Sequence, residues 1–151
     1  MLSAVRRFNL ATEKSSTETE SIAGYQESMT TEHKERVYVV DDEQIIARTL
    51  ALILQQSGFD AVSFTNPLHA FEAAKADSPD LLISDVMMPE MSGIELAIAI
   101  RSECPGCKIL LFSGQSVTSD LLKIAREQGH DFRLLSKPIH PADLLAAIQN
   151  I

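Results

Sequence analysis

The chain has 151 residues, a formal net charge of -8, 45% hydrophobic residues and 5% aromatic residues. That length suits one domain with an aliphatic core. The acidic balance speaks against a nucleic-acid surface, which needs a basic stripe. No apolar stretch approaches the about 20 residues of a membrane-spanning helix, so a cytoplasmic location without membrane or nucleic-acid partners is expected.

Residues 1–33 differ in kind from the rest. The stretch "ATEKSSTETESIAGYQESMTTEH" is rich in Ser, Thr and Glu with no apolar period, the composition of a disordered tail. Arg6 and Arg7 in "MLSAVRRFNL" hint at a targeting signal, but no apolar segment follows and glutamates begin at Glu13, which speaks against secretion. Met29 offers an alternative start that would leave almost no tail.

From Arg36 the pattern alternates between strand and helix. "RVYVV" (36–40) is a β-branched strand. Asp42 or Glu43 opens the helix after it, whose Ile45, Ile46, Leu50, Ile53 and Leu54 recur at helical spacing. Gly58 ends that helix. "DAVSF" is a second strand, and Asn66-Pro67 opens a helix running through Ala76. "DLLIS" is the third strand and "GIELAIAIRS" the third helix. "KILLF" is the fourth strand, before a helix from about Thr118 to Gln128 that stops at Gly129. "FRLLS" is the fifth strand, and Pro141 sits first in the final helix, "PADLLAAIQN".

Five such units with near-continuous apolar strands imply a parallel sheet covered by helices on both faces, with right-handed crossovers. In an open doubly wound α/β sheet the ligand site lies beyond the carboxyl ends of the strands. Asp41-Asp42 follow the first strand, Asp85 the third, Ser113-Gly114 the fourth and Lys137-Pro138 the fifth. The second strand carries no such group. Converging carboxylates raise one another's pKa, and Mg²⁺, held by one or two carboxylates with waters and phosphate oxygens, relieves that repulsion. With Lys137 as a compact cation and Ser113 as a hydroxyl donor, the set suits phosphoryl transfer onto an aspartate.

The motifs "VVDDE", "SDVMMPEMSG", "LLFSG" and "SKP", in this order and spacing, resemble the receiver domain of two-component response regulators over residues 36–151. The resemblance implies a flavodoxin-like sheet of order 2-1-3-4-5. It also implies that Asp85 accepts a phosphoryl group from a sensor histidine kinase or a histidine phosphotransfer protein. Asp42 would bind Mg²⁺ directly and Asp41 through water, alongside Asp85 and the Met87 backbone carbonyl. Lys137 would contact the phosphoryl group, Ser113 would move towards it, and the Lys137–Pro138 bond would be cis. Pro89 and Gly93 match the loop after the acceptor. Two departures stand out. Leu134 occupies a position, three before the lysine, where the family usually has an aromatic residue. The stretch "GHDFRLLSKP" is one residue longer than usual, so Phe132 would stand in for that aromatic only after a register shift, which flips its face.

Other readings are weaker. Cys104 and Cys107 in "CPGC" precede an apolar run rather than opening a helix, and no second Cys/His pair completes a zinc site, so a plain loop is expected. His69, His130 and His140 read as surface or cap residues. Met87 and Met88 would cover the loop, and Leu144, Leu145 and Ile148 read as core. A phosphatase with an aspartate nucleophile would need an acid where Met87 stands. A nucleotide or flavin binder would need a glycine-rich first loop. The last helix ends at Ile151, so the expected function is a stand-alone phosphoacceptor switch, not an enzyme, acting on an output protein that the residues do not name. The alternative is an interaction module that keeps the fold without phosphorylation.

Overall fold

The apolar strand runs assemble as the β-branched and aliphatic patterning demands. In a computed structural model, residues 33–114 and 118–151 are described. The tail read for residues 1–33 therefore lies outside them save for His33, as does the start at Met29. The strands are β1 (Arg36–Val40), β2 (Asp60–Phe64), β3 (Leu81–Asp85), β4 (Lys108–Ser113) and β5 (Arg133–Ser136). They form one parallel sheet of order β2-β1-β3-β4-β5, as expected. The helices are α1 (Gln44–Gln56), α2 (Pro67–Ala76), α3 (Gly93–Glu103), α4 (Thr118–Glu127) and α5 (Pro141–Gln149). Lys34–Ile151 forms one compact unit.

Because strand side chains alternate between faces, each central strand feeds two apolar layers. Val37, Val39, Leu81, Ile83, Leu110 and Phe112 pack with α1 and α5 through Leu50, Leu54, Leu144 and Ile148. Tyr38, Val40, Leu82 and Leu111 pack on the other side with Ala70, Ala74, Ile94 and Ile100 of α2 and α3. Among the described residues no helix is long and apolar enough to cross a membrane.

Helix boundaries follow local chemistry. Asn66 Oδ1 accepts from the Leu68 amide at 2.9 Å, with Pro67 in the first position of α2. Gly58 and Gly129 end α1 and α4 with φ of 96° and 92°, a conformation that favours glycine. α3 carries a full capping box, in which the Glu95 amide donates to Ser92 Oγ and the Ser92 amide donates to Glu95 Oε2. The "SGIE" spacing carries that signature.

Glu43 opens α1 as its N-cap, as expected; its side chain makes no capping bond, and its amide donates to Asp41 Oδ1 at 2.8 Å. Two expectations need correcting. Ile45, counted with the apolar face of α1, is 81% exposed, because that face turns away from the sheet at its first turn. β5 starts at Arg133, one residue later than read. Phe132 lies before the strand, buried in the α2–α3 layer with Ala125 of α4. Its ring stacks on His130 and lies under the Arg101 guanidinium. No register shift occurs: Leu134 pairs with Leu111 and keeps the position three before Lys137.

The "CPGC" segment forms a turn, with the Cys107 amide donating to the Cys104 carbonyl at 2.9 Å. Both thiols are free and buried in the core. Burial pushes the Cys107 thiol up to about 12, the opposite of a reactive thiolate. His69 and His140 are exposed, and Leu144 and Ile148 are buried as expected.

Candidate functional site

A parallel sheet brings every strand's carboxyl end to one edge, and the register here is tight. Val40 pairs with Ser84, Asp85 with Phe112 and Ser113 with Ser136. Asp41 directly follows β1, Asp85 and Ser113 end their strands, and Lys137 directly follows β5. The structure therefore collects all the sequence-derived strand-end groups along one rim. Asp41, Asp85 and Ser113 are buried, and Asp42 is exposed at the mouth.

Asp41, Asp42 and Asp85 each offer a carboxylate oxygen, and these atoms lie within 4.8 Å of one another. The Lys137 ammonium donates to Asp41 Oδ2 and Asp85 Oδ2, both at 3.2 Å, and stands 5.2 Å from the Phe112 ring centre. Burial raises the Asp41 carboxyl above its usual range. The Glu43 amide and Lys137 oppose that shift, and the Asp85 charge adds to it. Burial works against the Lys137 charge, but its bond to Asp85 and the two carboxylate charges outweigh this, so its pKa is raised. Lys137 is a fixed cation at neutral pH.

Three carboxylates against one ammonium leave negative charge in excess on a half-sealed rim. That donor set, all oxygen with one member open to solvent, fits a hard divalent cation.

The loop after Asp85 is tied back to the sheet. The Val86 amide donates to the Phe112 carbonyl at 3.0 Å, and the Gly93 amide donates to the Val86 carbonyl at 2.8 Å. Glu90 takes a φ of 70° inside this loop. The Met87 side chain is half-exposed, whereas Met88 packs on the core. The Lys137 amide donates to the Ser113 carbonyl at 2.9 Å, joining β4 to the segment that presents the lysine. The Lys137–Pro138 bond is cis. Beside Lys137, Ile45, Ile46, Thr49, Ile53, Pro138 and Ile139 line an apolar groove of about 530 Å³.

Ser84, unmarked in the sequence, and Gly93, read there only as matching the loop after the acceptor, both shape the site. Ser84 Oγ donates to the Asp85 carbonyl at 2.9 Å and is fully buried. Its signal was a lone hydroxyl inside the apolar run "LLIS". Gly93 opens α3 so close to Asp85 that a β-carbon there would overlap the Asp85 carbonyl.

Residues 37–149 match the response regulator receiver domain family. The chain is 34% identical over 118 residues to the transcriptional regulatory protein CreB of Escherichia coli, covering 78% of this chain and 51% of that one. It is 31% identical to the response regulator receiver protein CpdR of Brucella abortus, covering 77% of this chain and 95% of that protein. Against the probable transcriptional regulatory protein TcrX of Mycobacterium tuberculosis, identity is 32%, with 68% of this chain and 43% of that one covered. The chain thus spans about half the length of several curated relatives. A structure of the Vibrio cholerae chemotaxis protein CheY4 superposes with a TM-score of 0.71 at 26% identity, covering 79% of this chain and 99% of that one. The strand order, the acidic rim and these matches agree, and the chain belongs to the response regulator receiver domain family of two-component signalling.

Proposed function

We propose that residues 34–151 form a phosphoacceptor receiver domain in which Asp85 takes a phosphoryl group from a phosphohistidine on a sensor kinase or phosphotransfer protein. The observation that carries this is the Lys137 ammonium held between Asp85 and Asp41 at 3.2 Å from each. A cation fixed there meets the phosphoryl oxygens as charge develops. An Asp85 carboxylate oxygen attacks phosphorus and an O–P bond forms. The P–N bond to the donor imidazole breaks, and its electron pair stays on nitrogen.

Asp41, Asp42 and Asp85, with the Met87 carbonyl, would hold Mg²⁺. Bound there, it supplies positive charge to the phosphoryl oxygens and offsets the carboxylate repulsion. Asp41 also braces the start of α1 through the Glu43 amide, so the acid that holds the site is itself held. The Ser113 hydroxyl, at the end of β4, turns towards the phosphoryl oxygen. The added charge of about -1.5 to -2 then biases the arrangement around Ser113 and α4.

The domain acts as a switch rather than a turnover enzyme, and its output is a protein contact made in the cytoplasm. The chain's formal charge of -8 favours a protein partner over nucleic acid. The mycobacterial relative MtrA, named as DNA-binding, is matched over only 50% of its length.

Phosphate uptake from acetyl phosphate with Mg²⁺ tests the proposal. Wild type should incorporate phosphate, and Asp85→Asn or added chelator should stop it. Absence of uptake from any donor would overturn it.

A further inference from the structure

Ser84 is the one polar side chain in the otherwise apolar β3 run before Asp85, and it is fully buried. It shares the layer of its register partners Val40 and Leu111. Alanine would fill that layer with no polar atom to satisfy, whereas a buried hydroxyl is costly unless bonded. The bond it makes lands on the carbonyl of Asp85 itself, at 2.9 Å.

That carbonyl belongs to the peptide unit joining Asp85 to Val86, whose amide donates to the Phe112 carbonyl at 3.0 Å. One peptide plane is therefore pinned from both ends, by Ser84 on its C=O and by β4 on its N–H. The carbonyl of the next residue, Val86, accepts from the Gly93 amide at 2.8 Å, which ties the same turn to the start of α3. Ser84 Oγ also lies 3.0 Å from where a Gly93 β-carbon would stand, so the hydroxyl fills the space between β3 and the helix end. Fixing this plane restrains ψ of Asp85, and the allowed rotamers of a side chain depend on its backbone torsions. The carboxylate direction relative to Lys137 thus depends on Ser84.

We infer that Ser84 is a positioning residue for phosphoryl acceptance: its hydroxyl locks the Asp85–Val86 peptide and so aims the Asp85 carboxylate at the Lys137 side of the rim. The inference rests on the phosphoacceptor reading above. Ser84→Ala removes the donor, and Ser84→Cys keeps the volume while offering only a weak one.

With acetyl phosphate and Mg²⁺, both variants should incorporate phosphate about fivefold to tenfold more slowly than wild type at equal folded fraction, the size of one lost hydrogen bond. Amide exchange at Val86 and Gly93 should speed up in both, while the amides of α1 stay as protected as in wild type. That second readout separates a loosened acceptor turn from a generally weakened fold. Wild-type uptake by Ser84→Ala would overturn the inference. So would Ser84→Cys matching wild type, since the hydroxyl would then only fill space. A wild-type chain that takes up no phosphate would overturn the phosphoacceptor reading and this one with it.

Discussion

The first residue of α3, Gly93, approaches Asp85 so closely that any β-carbon on it would overlap the Asp85 carbonyl oxygen. The partner in that clash is backbone of a central strand and has no way to yield. Gly93→Ala should therefore destabilise the domain by about 1–3 kcal/mol, the cost of overpacking a filled site. Urea unfolding measures this. By contrast, a β-carbon at Gly106 meets nothing within 4 Å, and Gly106→Ala should leave the midpoint nearly unchanged.

Lys137 is the cation that two buried carboxylates share. Replacing it with methionine keeps the stem and removes the charge. Phosphate uptake should collapse, and without metal the fold should lose about 1–3 kcal/mol, because breaking the pair leaves buried acids uncompensated. Saturating Mg²⁺ should return much of that stability. Unfolding titrations of Lys137→Met with and without Mg²⁺ check both statements.

A cation bound to the folded rim and not to the unfolded chain stabilises by mass action, by about 2.7 kcal/mol at a hundred times Kd. The wild-type midpoint should therefore rise with Mg²⁺ and return to its starting value with chelator. Asp42→Asn removes the exposed member of the acidic trio and should blunt the rise while leaving the metal-free midpoint close to wild type. Thermal melts across a Mg²⁺ series distinguish the two.

Alkaline pH should weaken the fold through two groups held protonated. Burial pushes the Cys107 thiol from 9.0 to about 12. Burial likewise raises Tyr38, against the opposing charge of Arg36, and its hydroxyl donates to the Asp77 carbonyl at 2.6 Å. With folded values above unfolded ones, their contribution is complete below about pH 9 and is lost as pH climbs through the raised values. Stability measured from pH 8 to 11 should fall, and neither thiol should react with iodoacetamide at pH 8 unless the chain is unfolded.

Much of the rim was legible in the sequence because a parallel sheet converts chain order into position. Asp85 ends a strand, Asp41 and Lys137 each directly follow one, and all parallel strands end at one edge. What was not legible depended on how helices approach that edge. The closeness of α3 to Asp85 gives Gly93 and Ser84 their roles, and no local pattern encodes an approach distance. Phe132 reads as a β-former, yet tertiary packing beside Ala125 of α4 draws it out of β5, the usual override of strand propensity by context. Ile45 matches the apolar period of α1 but falls on its first turn, beside the open groove rather than over the sheet. Asp41 bonds the turn into α1 as well as facing the site, because a carboxylate can serve the backbone and the site at once.

The most direct test of the central claim is to locate the phosphoryl group. The chain treated with acetyl phosphate and Mg²⁺ should be reduced with borohydride, which converts an acyl phosphate on aspartate to homoserine, and then mapped by peptide mass spectrometry. The account predicts homoserine at position 85 alone, dependent on Mg²⁺. Modification at Asp41 or Asp42, or phosphate on Ser113 with Asp85 untouched, would contradict it.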